Sequence, residues 1–239
     1  MNEKQNIGTF FDGIAATYDP LNHLLSLNED RRWRRVAVKG MQPANHVLDV
    51  AIGTADLTLA LLKHHKANRI TGIDLSTEMM AIGKTKVEQH HWSDRVSFMQ
   101  ASALDMPFES HTFDAVTCSY GVRNFSDLDK GLREMYRVLK PNGELMILEF
   151  SYPSNRLMAW CYDLYFSHVM PFVGRVLSRN RTAYNYLNHS VKHFIWGEQM
   201  CQHLRDAGFS HVQAQTLSFG ITTIYRAIKV LPSTSVKNN

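Results

Sequence analysis

The stretch His46-Val47-Leu48-Asp49-Val50-Ala51-Ile52-Gly53-Thr54-Ala55-Asp56, followed by Arg69-Ile70-Thr71-Gly72-Ile73-Asp74, decides the fold. The first six residues are a short apolar run interrupted by Asp49, and a glycine turn follows. Leu57, Ala60 and Leu61 then recur at helical spacing. The second run is again apolar and closes on an acid. Strand, tight turn, helix and strand make one βαβ unit, and an acid ending the second parallel strand is placed to grip a ribose. The unit therefore predicts an adenosine-containing cofactor. Two alternatives stay open: Gly53 as a plain tight turn, and Asp74 as a cap, with Ser76, on the following helix.

The same alternation continues outward. Val96–Gln100, Phe113–Ser119 and Glu144–Phe150 read as further strands. Between the last two, Leu128, Leu132, Met135 and Leu139 line one helical face, with Ser126 as cap and Asp129 completing a capping-box-like start. Pro141-Asn142-Gly143 stops that helix and turns the chain. The pattern predicts an α/β protein with a mostly parallel sheet and helices on both faces.

Four regions of one domain follow. Residues 1–44 form an N-terminal helical cap broken at Pro20 and Pro43, with a helix ending at Asp19-Pro20. Residues 46–150 form the cofactor-binding core. Residues 151–195, rich in Trp160, Tyr162, Tyr165, Phe166, Met170 and Phe172, read as a helical insertion, with core packing and a substrate lid both open. Residues 196–230 add a helix over Gly197–Gly208 and strands over Val212–Phe219 and Thr222–Ile228, the pair expected to be antiparallel; the tail Pro232–Asn239 is expected to fray.

Composition narrows the class. The 239 residues are 44% hydrophobic, enough for one large domain, and the net charge is +4. Nucleic-acid binding would need a denser basic excess interleaved with aromatics. The cluster Arg31, Arg32, Arg34 and Arg35 around Trp33 reads as a solvated helix face or as a contact to a membrane or anionic ligand. Three scattered cysteines give neither a disulfide framework nor metal spacing and fit a reducing cytoplasm. Neither a signal peptide nor a run of about 20 apolar residues is visible, so a cytoplasmic protein is expected.

The turn itself discriminates between cofactors. Nicotinamide and flavin sites favour G-x-G-x-x-G, which brings pyrophosphate to a helix N-terminus. Here one of the three glycines is present, and Asp56 puts negative charge where a pyrophosphate would lie. A cationic sulfonium such as S-adenosylmethionine reverses that objection.

Larger motifs point the same way. Tyr18-Asp19-Pro20-Leu21-Asn22 with Asp30-Arg31-Arg32-Trp33, then Gly121-Val122-Arg123-Asn124-Phe125, then Arg137-Val138-Leu139-Lys140-Pro141-Asn142-Gly143-Glu144 with Leu148-Glu149-Phe150-Ser151, cover nearly the whole chain. In these the sequence resembles the ubiquinone/menaquinone biosynthesis C-methyltransferases. The resemblance implies the Rossmann-like, seven-stranded class I S-adenosylmethionine-dependent methyltransferase fold. It implies C-methylation of a demethylated prenyl quinol, most simply demethylmenaquinol; a ubiquinone precursor, another lipid-like acceptor and a non-catalytic adenosine-binding subunit are the alternatives.

Carried over by position, Gly53, Thr54, Asp74, Ser102, Ala103 and Ser119 are the expected cofactor contacts. Arg123 is the expected catalytic residue, stabilising a quinolate, with a structural salt bridge as its alternative. Tyr18 and Asn124 are the expected substrate contacts, Tyr18 otherwise a packed aromatic. No metal is expected. The implied partners are a prenylated naphthoquinol and, peripherally, the inner face of a membrane; self-association into a homodimer is left open. Ala55, Ser102, Asp30 and Asn142 depart from the family pattern. Ala55 is expected to bring a methyl near the cofactor, and Ser102 to lose a long acceptor for the adenine amine.

Overall fold

Strand β1 (Ala44–Val50) lies inside the sheet, its two faces both apolar. Val47 joins one core cluster while Leu48 and Val50 join another, as the two-residue period of a strand requires. A computed structural model describes residues 3–153, 155–165, 190–191 and 194–230. In it, β1 is followed by α4 (Asp56–Lys63), β2 (Ala67–Asp74), α5 (Thr77–Gln89), β3 (Val96–Gln100) and β4 (Phe113–Ser119). A short 3-10 turn (Val122–Asn124), α6 (Leu128–Val138), β5 (Leu139–Phe150) and α7 (Arg156–Leu164) come next. The chain ends in α8 (Glu198–Asp206), β6 (Ser210–Leu217) and β7 (Thr222–Ile228).

The seven strands are ordered β3-β2-β1-β4-β5-β7-β6. The first five are parallel, and β7 runs antiparallel between β5 and β6. The parallel, two-faced sheet and the closing antiparallel pair match the sequence expectation. Order reverses between β1 and β4, which opens a crevice at the carboxyl ends of the strands. One face is covered by α4, α5 and, ahead of β1, α3 (Glu29–Lys39); the other by α6 and α8. Phe166, Met170, Phe172, most of the 151–195 insertion and the 232–239 tail lie outside the described residues. No helix among the described residues is long and apolar enough to cross a membrane.

Local expectations fail where tertiary contacts decide. The N-terminal region is three helices, α1 (Glu3–Asp12), α2 (Ala15–Leu25) and α3, and Pro20 lies inside α2 instead of ending it. The breaks fall at Gly13-Ile14 and Ser26–Asn28. Asp127, not Ser126, caps α6, its carboxylate accepting from Lys130 N at 2.9 Å. Pro141-Asn142-Gly143 does not turn the chain. It sits within β5 as an irregularity, Asn142 at φ 60°, where the β4 register shifts. The arginine cluster also divides: Arg34 is buried, with Nη1 2.6 Å from Asp30, while Arg31, Arg32 and Arg35 are exposed.

An interior proline removes one backbone hydrogen bond and costs about 3 kcal/mol, less about 0.4–1 kcal/mol recovered from the stiffer unfolded chain. Pro20→Ala is therefore expected to stabilise the fold by about 2 kcal/mol. Urea denaturation midpoints check this; an unchanged or lower midpoint would show that α2 bears no strain at Pro20.

Candidate cofactor and substrate site

The turn leaving β1 is tight enough to need left-handed backbone at three of five residues: Ala51 (φ 55°), Gly53 (φ 53°) and Ala55 (φ 65°). At the two alanines this conformation costs about 1–2 kcal/mol each. The turn is fastened from β2. Asp74 Oδ2 accepts from Gly53 N at 2.8 Å, and Oδ1 accepts from Ser76 N at 2.9 Å. Ser76 in turn caps α5 by accepting from Met79 N at 3.1 Å. The capping and ribose readings of Asp74 are thus compatible, since each carboxylate oxygen keeps a further lone pair. Burial pushes the Asp74 carboxyl up, against the pull of its backbone donors.

A crevice of about 860 Å³, open mouth included, lies beside this turn. Of the residues singled out from sequence, Gly53, Asp74, Ser102, Ala103, Ser119, Tyr18 and Asn124 all stand on its wall. Ile73, Leu75, Met79 and Leu104 supply apolar lining. Ser119 Oγ is buried there without a hydrogen-bond partner among the described residues. An adenosine-type group fits this set: an acid for ribose hydroxyls, an apolar slot for a flat base, and an unsatisfied hydroxyl. Ser102 Oγ accepts from Leu104 N at 3.2 Å.

Two expected residues lie off the wall. Thr54 Oγ1 donates to Asp19 Oδ1 at 2.6 Å and so ties the turn to α2. Arg123 Nη1 donates to Glu149 Oε1 at 2.7 Å and to the Tyr120 carbonyl at 2.5 Å, and its guanidinium lies over the Phe150 ring. The Arg123 and Glu149 side chains are only 4% and 0% exposed, so the salt-bridge alternative is present in the structure. Arg123 still acts electrostatically on the wall. Burial raises the Tyr18 phenol, while Arg123 and Arg34 pull it back.

Two electrostatic expectations are revised. Asp56 does not face the crevice: Lys86 Nζ is 2.6 Å and Arg34 Nη1 3.4 Å from its carboxylate. Burial opposes ionisation of Asp56, but Arg34 and Lys86 more than offset it and hold its carboxyl below the usual range. Asp56 therefore gives no argument against a pyrophosphate. The Ala55 methyl is fully buried in the core, against the place where Gly83 packs, and is not on the wall. Its departure from the family pattern is felt as backbone strain, not as crowding of a ligand. His23, Asp30 and Asp56 converge within 4.8 Å, but Arg34 and Lys86 fill the cluster as counter-ions.

Sequence reasoning missed the contribution of α1. Ile7, Gly8 and Phe11 line the crevice, and Gly8 lets α1 approach the Leu75 carbonyl, 3.0 Å from where a Cβ would stand. Asp12 Oδ1 accepts from Ser76 Oγ at 2.5 Å and Glu78 N at 3.1 Å. Apart from the small residue itself, no motif in Glu3–Asp12 announces this. Tyr120, at φ 58°, and Gly121 were also missed as wall residues.

Strand order and crevice define a class I S-adenosylmethionine-dependent methyltransferase fold. The solved [4+2]-cyclase SpnF matches with a TM-score of 0.72 at 19% identity, over 96% of this chain and 97% of its own. Haemonchus contortus phosphoethanolamine N-methyltransferase 2, solved in complex with S-adenosyl-L-methionine, matches with a TM-score of 0.61 at 15% identity, over 83% and 52%. The chain belongs to the ubiE/COQ5 methyltransferase family, whose model matches residues 1–229. It is 41% identical over 229 residues to the demethylmenaquinone methyltransferase of Bacteroides fragilis, covering 95% of this chain and 94% of the relative. It is 41% identical to the ubiquinone/menaquinone biosynthesis C-methyltransferase UbiE of Geotalea daltonii, covering 94% and 97%. The protein is thus an S-adenosylmethionine-dependent methyltransferase.

Beneath the turn, Asp49 is 1% exposed and accepts from Thr58 Oγ1 at 2.7 Å and Thr117 Oγ1 at 3.0 Å. Burial pushes it up to about 6 in spite of those bonds, with Asp74 nearby adding to the rise. A carboxyl whose folded pKa is raised contributes stability fully present below its unfolded pKa and lost as pH rises through the folded one. Between pH 5 and 7 this single group is expected to remove about 1 kcal/mol. Asp49→Asn should flatten that part of the stability profile, measured by denaturant unfolding at each pH. A slope equal to the wild type's would assign the pH dependence elsewhere.

Proposed function

We propose that the protein methylates a ring carbon of a demethylated prenyl quinol, with demethylmenaquinol as the acceptor. The observation that carries this reading is the crevice wall, where Asp74 and Ser119 stand together with Tyr18 and Asn124. The names of the B. fragilis and G. daltonii relatives support the acceptor class. A peripheral position at the membrane suits a lipid-dissolved substrate.

S-adenosylmethionine, when bound, supplies an electrophilic methyl on a sulfonium whose departure as a thioether needs no protonation. Asp74 would receive the ribose hydroxyls, Ser119 Oγ would contribute a further polar contact, and Gly53, Ser102 and Ala103 would shape the remaining surface. The protein's task is alignment and exclusion of water. The acceptor carbon becomes nucleophilic when a ring hydroxyl loses its proton and charge spreads into the ring. A phenol-like hydroxyl ionises near ~10, so the site must favour the anion. In this proposal Arg123 stabilises the developing quinolate and Tyr18 and Asn124 orient the ring. An arginine does not itself accept the proton, which leaves through water.

Transfer of a labelled methyl group from S-adenosylmethionine to a reduced demethylnaphthoquinol tests the reading directly. Product label on the ring is expected; label on an amine or phenol oxygen, or none, overturns it. Arg123→Lys keeps a counter-ion for Glu149 and is expected to reduce kcat by about 10²-fold. S-adenosylhomocysteine affinity, by calorimetry, should stay within about threefold, since Arg123 lies off the crevice wall and is paired with Glu149. A large affinity loss with normal turnover would assign Arg123 to cofactor binding.

A further inference from the structure

Away from the crevice, Phe219 and Leu27 are the most exposed large apolar side chains described, at 79% and 77%. Both are held at positive φ, 59° and 52°. Bulky residues rarely occupy that region, and turns of this kind usually carry Gly or Asn. Two strained turns therefore each present an apolar side chain to the outside.

The two turns form one surface. Ser218 Oγ donates to Glu29 Oε2 at 3.0 Å and accepts from Trp33 Nε1 at 2.8 Å, so the β6–β7 tip sits against the start of α3. Leu27 lies in the turn just before that start. Thr222 pairs with Phe150 at the carboxyl end of β5, which puts the tip at the crevice end of the sheet. The Tyr165 hydroxyl donates to the Leu25 carbonyl at 2.7 Å and brings the end of α7 alongside.

Helix α7 has two apolar faces. Tyr162, 5% exposed, turns inward and feels the charge of Arg123. Leu157, Trp160 and Leu164 recur at helical spacing and are 68%, 62% and 45% exposed. Charge flanks this apolar surface: Arg31 and Arg35, one helical turn apart on α3 just beyond the Leu27 turn, are exposed and have no carboxylate partner among the described residues.

We propose that the Leu27 turn, the Phe219 tip and the outer face of α7 form one docking surface for an anionic lipid bilayer. The apolar side chains enter the boundary between headgroups and acyl chains, and Arg31 and Arg35 meet lipid phosphates. Charge complementarity selects lipid over a second copy of the chain. A second copy seated here would bring the same basic patch, and Glu29, the acid beside the tip, is already engaged by Arg32 and Ser218. The surface gives the quinol reading its membrane partner, and rests on that reading only for its purpose: α7 would stand between the bilayer and the ring-binding wall.

Co-sedimentation of the full chain with vesicles of phosphatidylcholine and phosphatidylglycerol tests the surface. Binding is expected to fall with rising salt, as screening weakens the arginine contacts. Leu27→Ser with Phe219→Ser is expected to reduce the bound fraction at least fivefold, and Arg31→Glu with Arg35→Glu to abolish the preference for phosphatidylglycerol. Both variants should retain S-adenosylhomocysteine affinity and methylation of a short-tailed demethylnaphthoquinol, a readout that separates loss of docking from misfolding. Wild-type protein left in the supernatant with anionic vesicles overturns the proposal, as does apolar-variant binding equal to wild type. So does a wild-type dimer, by light scattering, that the apolar variant converts to monomer. Vesicle binding with no methylation of any naphthoquinol would leave the surface standing and remove the quinol reading.

Discussion

The Asp74 carboxylate is the bond on which the site depends. It closes the turn after β1 onto the end of β2 by accepting from Gly53 N, and it starts α5 by accepting from Ser76 N. The β1 turn cannot relax by itself, because Ala51 and Ala55 are held in backbone that alanine disfavours. Burial makes the carboxylate expensive to ionise, and backbone donors offset only part of that cost. Ribose hydroxyls would add donors of the same kind, so the apo site is already shaped for a ligand that completes its hydrogen bonding. Ser76 carries the constraint outward to Asp12, and thereby holds α1 over the crevice.

A second constraint lies behind the turn. Asp19, Asp30 and Asp56 share Arg34 and Lys86 in a half-buried ionic knot joining α2, α3, α4 and α5. Such networks add little net stability compared with apolar packing, but removing one member leaves a stranded charge. Their use here is geometric. Thr54 is bonded to Asp19, so the β1 turn and the helix bearing Tyr18 are fixed to the same knot. The helical cap is therefore part of the crevice wall, with Tyr18 from α2 and Phe11 from α1 meeting in an edge-to-face contact at 6.1 Å between ring centroids.

Much of this was legible in the sequence wherever a period or an end signal acted locally. Val96–Gln100 and Phe113–Ser119 are strands with those bounds, and the acid closing β2 stands on the crevice wall. Legibility ended where distant residues decide. Pro20 continues a helix because α2 is packed and salt-linked on both sides, contacts invisible in the local dipeptide. Asp56 looked like charge aimed at a ligand because sequence order hides Lys86, 30 residues away. The Ala55 methyl looked like a ligand contact because the sign of φ, which turns it into the core, is not written in the sequence. Arg123 was recognisable by its motif, but Glu149, its buried partner, became so only once β4 and β5 were paired.

That pair also bears on how a quinol could be ionised. An arginine neutralised by Glu149 is cheap to bury but exerts a weaker pull than a lone cation. Tyr18 reports the balance at the wall. Its phenol stays above the ordinary value because burial outweighs Arg123 and Arg34 together. A quinol hydroxyl held beside Tyr18 would meet the same opposition between burial, which disfavours the anion, and arginine charge, which favours it. In the proposed reaction Arg123 supplies the favourable side of that balance, stabilising negative charge on the ring as the hydroxyl gives up its proton.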